Sequence, residues 1–227
     1  MFKDLMVNKT SGDKNRIAVE LFNQLADQYQ DQYMDLELYE ESLDLICEEL
    51  VEDAEILDVA CGPGNITKYL MQQRGDFKLW GVDLASNMLD LARINNPDAT
   101  FQILDARKIG NIKKSFDAVV CGFVMPYLSL EESVQMVFGA AKILKEQGYL
   151  YISTIEGDYK KSGYKKGSTN EGVFMYYYDE AFLTELIKRT GLEVIDVKRT
   201  SYLHKGEPTT DLMIVARNFD PTAIQDL

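Results

Sequence analysis

The chain has 227 residues, 46% of them hydrophobic and 27% charged, enough for one well-cored domain and too few for a second full one. A formal net charge of −13 speaks against nucleic acid as a partner, because polyphosphate binding needs clustered Lys and Arg. No apolar run approaches the ~18–20 residues of a membrane span, and the start carries no signal-peptide pattern. Cys47, Cys61 and Cys121 form neither a metal spacing nor an even disulfide framework, which reads as a reducing, cytoplasmic compartment.

In chain order, residues 1–15 are polar and read as a flexible start. Arg16 to Tyr33 has helical spacing, with Val19, Phe22, Leu25, Ala26 and Tyr29 on one face. A second helix carries the stripe Leu36, Tyr39, Leu43, Ile46 and Leu50. Strands and helices then alternate. Strands are expected at Glu55 to Ala60, Lys78 to Val82, Thr100 to Leu104, Phe116 to Cys121 and Tyr149 to Thr154. Between them lie helices after Gly64, over Ser86 to Asn95, and from the capping box at Ser129 to just before Gly148. Residues 155–178 break the rhythm. Asp179 caps a last helix that Gly191 ends, and two strands follow, Leu192 to Thr200 and Thr209 to Arg217. Their short join, His204 to Pro208, forces them antiparallel. The pattern predicts an α/β three-layer sandwich: a seven-stranded, mostly parallel sheet, last strand antiparallel, with helices on both faces.

The stretch Ile56-Leu57-Asp58-Val59-Ala60-Cys61-Gly62-Pro63-Gly64-Asn65 passes from strand through a glycine turn into a helix. Such turns let backbone approach a ligand and aim a helix start at it. The third glycine of a dinucleotide fingerprint is missing. Asp58, near the end of the strand, would oppose a pyrophosphate but suits an ammonium or sulfonium group. A cationic nucleoside such as S-adenosylmethionine is the better guest.

Here the sequence resembles the class I S-adenosylmethionine-dependent methyltransferases of the small-molecule type. Asp58 to Gly64 looks like their first motif, and Leu79 to Leu89 like the second. Phe101 to Ala106 and Phe116 to Gly122 look like the third and fourth. The resemblance implies one domain over residues 1–227. Helices 16–53 would cover the cofactor, 54–154 would form its binding core, 155–178 an acceptor-binding segment, and 179–217 a closing helix and strand pair. It implies cofactor contacts at Asp58 (the methionine amino group) and along Ala60, Cys61, Gly62 and Gly64. Asp83 would hold the ribose, roughly 20 positions after the turn, with Leu84 beside it. Met88, Asp105 and Ala106 would meet the adenine, and Cys121 the methionine end. Phe22 to Tyr29 is similar to an N-terminal motif that closes over the cofactor, making Tyr29 and Tyr33 lid residues, although Asn23 stands where an acid is usual.

Methyl transfer from a sulfonium needs alignment more than a dedicated base, so the sequence names no catalytic residue beyond His204, the only histidine. A surface-loop histidine is the alternative. Within 155–178, Tyr159, Tyr164, Tyr176, Tyr178 and Lys165 are candidate acceptor contacts, with a solvated loop and core-packing tyrosines as the other reading. No metal is expected. The expected partner is a small-molecule acceptor, not nucleic acid or membrane, in a monomer or homodimer. RNA or protein methylation on the same fold, or a non-catalytic binding module, are the rival functions.

Overall fold

The computed structural model describes residues 13–166, 172–204 and 206–219. Residues 1–12 of the expected flexible start lie outside the described residues. Five strands come first: β1 (Glu55–Val59), β2 (Lys78–Asp83), β3 (Thr100–Ile103), β4 (Phe116–Gly122) and β5 (Leu144–Ile155). The small hairpin β6 (Gly163–Lys166) and β7 (Gly172–Met175) follows, then β8 (Glu193–His204) and β9 (Glu207–Arg217). The helices are α1 (Lys14–Gln24), α2 (Ala26–Tyr33), α3 (Glu40–Glu49), α4 (Asn65–Gln73), α5 (Ser86–Asn95), α6 (Leu130–Ile143) and α7 (Glu180–Arg189).

The main sheet has seven strands in the order β3-β2-β1-β4-β5-β9-β8. Neighbours from β3 to β5 are parallel, while β9 runs antiparallel to both β5 and β8. The α/β sandwich with a reversed last strand is therefore borne out. Apolar β1 and β4 are buried on both faces, as a parallel central strand must be. Leu43, Ile46, Ile66 and Leu70 of α3 and α4 close one face. On the other, Met136, Val137 and Ala140 of α6 pack with Leu183, Leu186 and Ile187 of α7. No helix among the described residues is long and apolar enough to cross a membrane.

Three elements differ from expectation. The first helix is two, because Leu25 leaves helical geometry (φ −100°, ψ 16°). The bend lets α1 pack on β7 through Ala18 and Leu21 while Ala26 of α2 reaches Ala85 and Met88. No glycine or proline marks the bend. β5 starts at Leu144, so α6 ends at Ile143; a bulge at Gln147 (φ 63°) re-phases the strand against β4. β8 and β9 continue pairing as far as His204 and Glu207, which shortens their join to residues 205–206, with Gly206 at φ +83°.

Helix α5 begins after Ala85, which gives it no side-chain cap. Asn23 of α1 supplies one: its Oδ1 accepts the Asn87 backbone N–H at 2.8 Å, and its carbonyl accepts from the Asn87 side chain at 2.8 Å. Asn23→Ala should cost about 1 kcal/mol, the usual worth of an N-cap. Asn23→Asp should cost nothing, since a carboxylate keeps the acceptor and complements the helix dipole. Urea unfolding of the two variants checks both expectations.

Candidate cofactor site

β1 and β4 lie side by side, but the helices that follow them, α4 and α6, cover opposite faces. A crevice therefore opens beyond their carboxyl ends. The turn after β1 is wound in left-handed geometry at Ala60 (φ 56°), Gly62 (φ 52°) and Gly64 (φ 80°). Phe123, just beyond β4, is also left-handed (φ 52°), its N–H bonding Ser153. Non-glycine residues hold such geometry only where surrounding structure enforces it. Ala60 and Phe123 face the same cavity.

That cavity has a volume of about 90 Å³. Its floor is Ala60, Gly62, Asp83 and Ala85, with Met88 of α5 on one side and Gly122, Phe123 and Val124 on the other. Asn15, Ala18, Val19 and Phe22 of α1, Tyr29 of α2 and Tyr127 roof it. The roof is aromatic: Phe22 meets Tyr127 and Tyr29 edge-on at 4.8 and 5.7 Å between ring centroids, and Tyr33 lies 4.6 Å from Tyr29. Burial pushes the Tyr29 and Tyr127 hydroxyls up, so both stay protonated.

Two carboxylates flank the turn in different ways. Asp83 accepts the Gly62 N–H at 3.0 Å and the Ala85 N–H at 2.8 Å, which fixes its orientation. Burial raises its carboxyl and these backbone bonds oppose the rise. Asp58 is 1% exposed. One of its oxygens accepts the Thr67 hydroxyl at 2.7 Å, and the other is buried without a partner. Burial, against the Thr67 bonds and with the nearby Asp83 charge, pushes Asp58 up to about 7.

Of the expected cofactor residues, Tyr29, Ala60, Gly62, Asp83 and Met88 line the cavity. Cys61 and Cys121 are buried beneath it, and burial raises both thiols. Leu84 follows Asp83 outside the lining, and Tyr33 is 44% exposed behind Tyr29. Asp105, next to Ala106, is clasped by Arg107, whose Nε and Nη2 reach its two oxygens at 2.9 and 2.7 Å. Burial alone would raise Asp105, but that fork holds it below the usual carboxylate range. Arg107 also bonds Glu132 and Asp13, the cap of α1.

The candidate acceptor residues lie elsewhere. Tyr178 is fully buried in the core, donating to the Leu128 carbonyl at 2.6 Å and accepting from Ser133 at 2.8 Å. Tyr178 is thus a packing residue, not a pocket wall: Tyr176 and Tyr178 are drawn into the core under the sheet's α6–α7 face by their apolar rings. Tyr176 (7% exposed) joins the same core, and Tyr159 stacks on it at 5.9 Å. Tyr164 and Lys165 are exposed on β6. His204 is exposed at the tip of the β8–β9 hairpin, outside the cavity lining. Asn15 and Tyr127 were not legible as lining residues; they meet only because Asn15 Nδ2 donates to the Tyr127 carbonyl at 3.2 Å across 112 positions.

With this geometry in place, comparison with known proteins is direct. A family model described as a methyltransferase domain matches residues 56–148, and the surrounding fold is the class I methyltransferase fold. Among curated relatives, the chain is 26% identical over 147 residues to a demethylmenaquinone methyltransferase of Thermotoga maritima, covering 62% of each chain. It is 28% identical over 147 residues to an uncharacterized methyltransferase of Alkaliphilus oremlandii, 58% of this chain and 66% of that one. These alignments thus span less than two thirds of the relatives' lengths. Among solved structures, a Burkholderia thailandensis 1,6-didemethyltoxoflavin-N1-methyltransferase holding its acceptor and S-adenosylhomocysteine superposes with a TM-score of 0.70. It is 18% identical, covering 95% of this chain and 94% of its own. Among the described residues there is no cluster of three or more His, Cys, Asp and Glu that could hold a metal.

The glycines of the turn play separate parts. A Cβ on Gly62 would point at Tyr29 (3.8 Å) and Met88 (4.0 Å), into the cavity. A Cβ on Gly64 would lie 2.4 Å from Asn96 Nδ2 and 3.3 Å from Ala92 Cβ, so α5, not a ligand, fills that space. Gly64→Ala should therefore lower stability by about 1–3 kcal/mol through a left-handed alanine and displaced Asn96. Gly62→Ala, which meets no such contact, should lose less. Chemical unfolding of the two variants distinguishes them.

Proposed function

We propose that this chain is a methyltransferase that binds S-adenosylmethionine in the crevice between β1 and β4 and methylates a small-molecule acceptor. The observation that carries the reading is the pair of acids around the Gly62 turn: Asp58 with a buried oxygen free of partners, and Asp83 fixed by two backbone N–H groups. That donor set fits the cofactor. Asp58 is left for an ammonium, Asp83 for the ribose hydroxyls, and Met88 with Ala85 for an apolar base. Asp105 would reach the adenine edge with Arg107 holding it ionised. The likeness to a demethylmenaquinone methyltransferase and to a 1,6-didemethyltoxoflavin-N1-methyltransferase supports a small acceptor.

When bound, S-adenosylmethionine supplies a methyl group already activated on sulfonium. The protein's part is to orient and to exclude water. Phe22, Tyr29 and Tyr127 form an aromatic roof over the crevice, and the enforced turns at Ala60 and Phe123 fix its walls. Orientation of this kind supplies on the order of 7–11 kcal/mol in favourable cases. Residues 16–53, of which Ala18, Val19, Phe22 and Tyr29 roof the cavity, are read as the cofactor cover, and residues 54–154 as the binding core, within one domain. The three cysteines, all buried and unpaired, support a cytoplasmic protein. The net charge of −13 favours a metabolite over RNA.

Asp83→Ala should weaken S-adenosylhomocysteine binding by about 1.5–3 kcal/mol, the range for hydrogen bonds to a charged group. Asp83→Asn should lose less. Wild-type affinity by calorimetry in a folded Asp83→Ala protein would sink the ribose assignment.

Binding should also be linked to pH through Asp58. Its carboxyl titrates at about 7 in the free site, and a ligand ammonium favours the ionised form, lowering that value. Binding then releases a proton below pH ~7, so affinity rises with pH up to about 7 and levels off above it. Asp58→Asn should flatten the profile. A wild-type affinity independent of pH between 5.5 and 8 would contradict an Asp58–ammonium contact.

A further inference from the structure

A second cavity, of about 270 Å³, lies between the start of α3 and the β8–β9 pair. Its walls are Tyr39, Glu41, Ser42, Lys198 and Thr200, with Met213 at its base. Three features give it a hydrogen-bonding character, with one cation, Lys198, that an outside anion could share with Glu41. The ten-residue helix α3 begins after Tyr39 without a side-chain cap, so its first-turn N–H groups and positive dipole end lie at the cavity. Ser42, in that first turn, is 1% exposed and its hydroxyl has no partner. A buried hydroxyl left unpaired is costly, and one in a cavity wall is a donor available to a ligand. Lys198, its side chain 25% exposed, reaches the cavity from β8 and holds the Glu41 carboxylate at 2.6 Å.

Two acids, Glu40 and Glu41, stand in the first turn of α3, and Glu40 is exposed. Glu41 is 85% exposed at the rim and is free to turn into solvent when another anion takes its place. Arg199 points its guanidinium to Glu156 and Glu180. Asp211 lies behind Tyr39, whose hydroxyl donates to it at 2.7 Å.

The two cavities stand at one level of the sheet. Lys198 pairs with Met213, Met213 with Ser153, and Ser153 with Gly122 in the wall of the cofactor crevice. The three strand spacings from β4 to β8 span about 14 Å. Tyr39 of the second cavity touches Phe123 of the first, ring centroids 5.0 Å apart.

We propose that the second cavity is an oxyanion subsite that takes a carboxylate or phosphate carried at the far end of the acceptor, whose reacting atom lies on the Phe123 side. The acceptor role rests on the methyltransferase reading; the oxyanion chemistry does not. It also moves acceptor recognition away from the lysines of residues 155–178, to the opposite face of the sheet.

Calorimetry of the full chain with glutarate, inorganic phosphate and neutral 1,5-pentanediol tests the oxyanion chemistry. One anion at least should bind saturably and the diol should not. Lys198→Gln should weaken anion binding tenfold or more, Lys198→Arg should retain it, and Ser42→Ala should weaken it severalfold. All three variants should bind S-adenosylhomocysteine within twofold of wild type. Absence of saturable anion binding, equal binding of the diol, or unchanged anion affinity in Lys198→Gln overturns the proposal. If S-adenosylhomocysteine fails to bind while the anion response survives, the methyltransferase reading falls, and with it the acceptor role, but the oxyanion site stands. In a labelled methyl-transfer screen, acids should be preferred over their amides, through a lower KM that Lys198→Gln raises with kcat kept. Preference for the amides overturns the acceptor assignment.

Discussion

Everything in this molecule depends on the neighbourhood of β1 and β4, two parallel strands whose following helices depart to opposite faces of the sheet. Parallel strands bury both faces and leave their ends as the only place where backbone polar groups and side chains can meet a solute. The chain adopts unusual conformations at both of those ends: left-handed Ala60 and Gly62 after one strand, left-handed Phe123 after the other. Buried acids then collect where backbone N–H groups and an apolar floor can tune them. The position of Asp58 and Asp83 is a result of sheet order before it is a feature of chemistry.

The roof is attached by a different kind of force. Few apolar residues of α1 and α2 are fully buried, and the helices are tied down by amides and one guanidinium. Asn23 meets Asn87, Gln30 meets Asn95, the Tyr33 carbonyl meets Asn65, and Asp13 meets Arg107. Such contacts specify a position strongly but contribute little net stability each, because water competes for the same groups. An element that must cover a crevice and yet release its contents is well served by attachments of that sort.

How much of this was legible beforehand differs by level. The sheet, its reversed last strand and the cavity floor followed from period, turn chemistry and motif order, because parallel strands need continuous apolar runs and a glycine turn has few uses. Ala60, Gly62 and Asp83 were legible for that reason, and Tyr29 and Met88 through the resemblance of the motifs that carry them. Asn15 and Tyr127 were not, since their pairing joins positions 112 residues apart and neither sits in a periodic pattern. The bend at Leu25 left no mark, as leucine is a good helix former and tertiary packing imposed the break. Tyr178 misled for the opposite reason: a run of tyrosines beside lysines looks like a binding surface, whereas burial of the ring with its hydroxyl satisfied by Leu128 and Ser133 is an equally good use of the residue.

The borrowed cap on α5 has a consequence for motion. The helix that carries Met88 closes its first turn with an acceptor from another helix, Asn23 of α1. When α1 lifts, the Asn87 amide loses its acceptor at that moment, and the first turn of α5 becomes open to solvent exchange. Roof and wall are thus one opening unit. Protection of a single backbone amide on α5 reports, from outside the crevice, how often the crevice is uncovered.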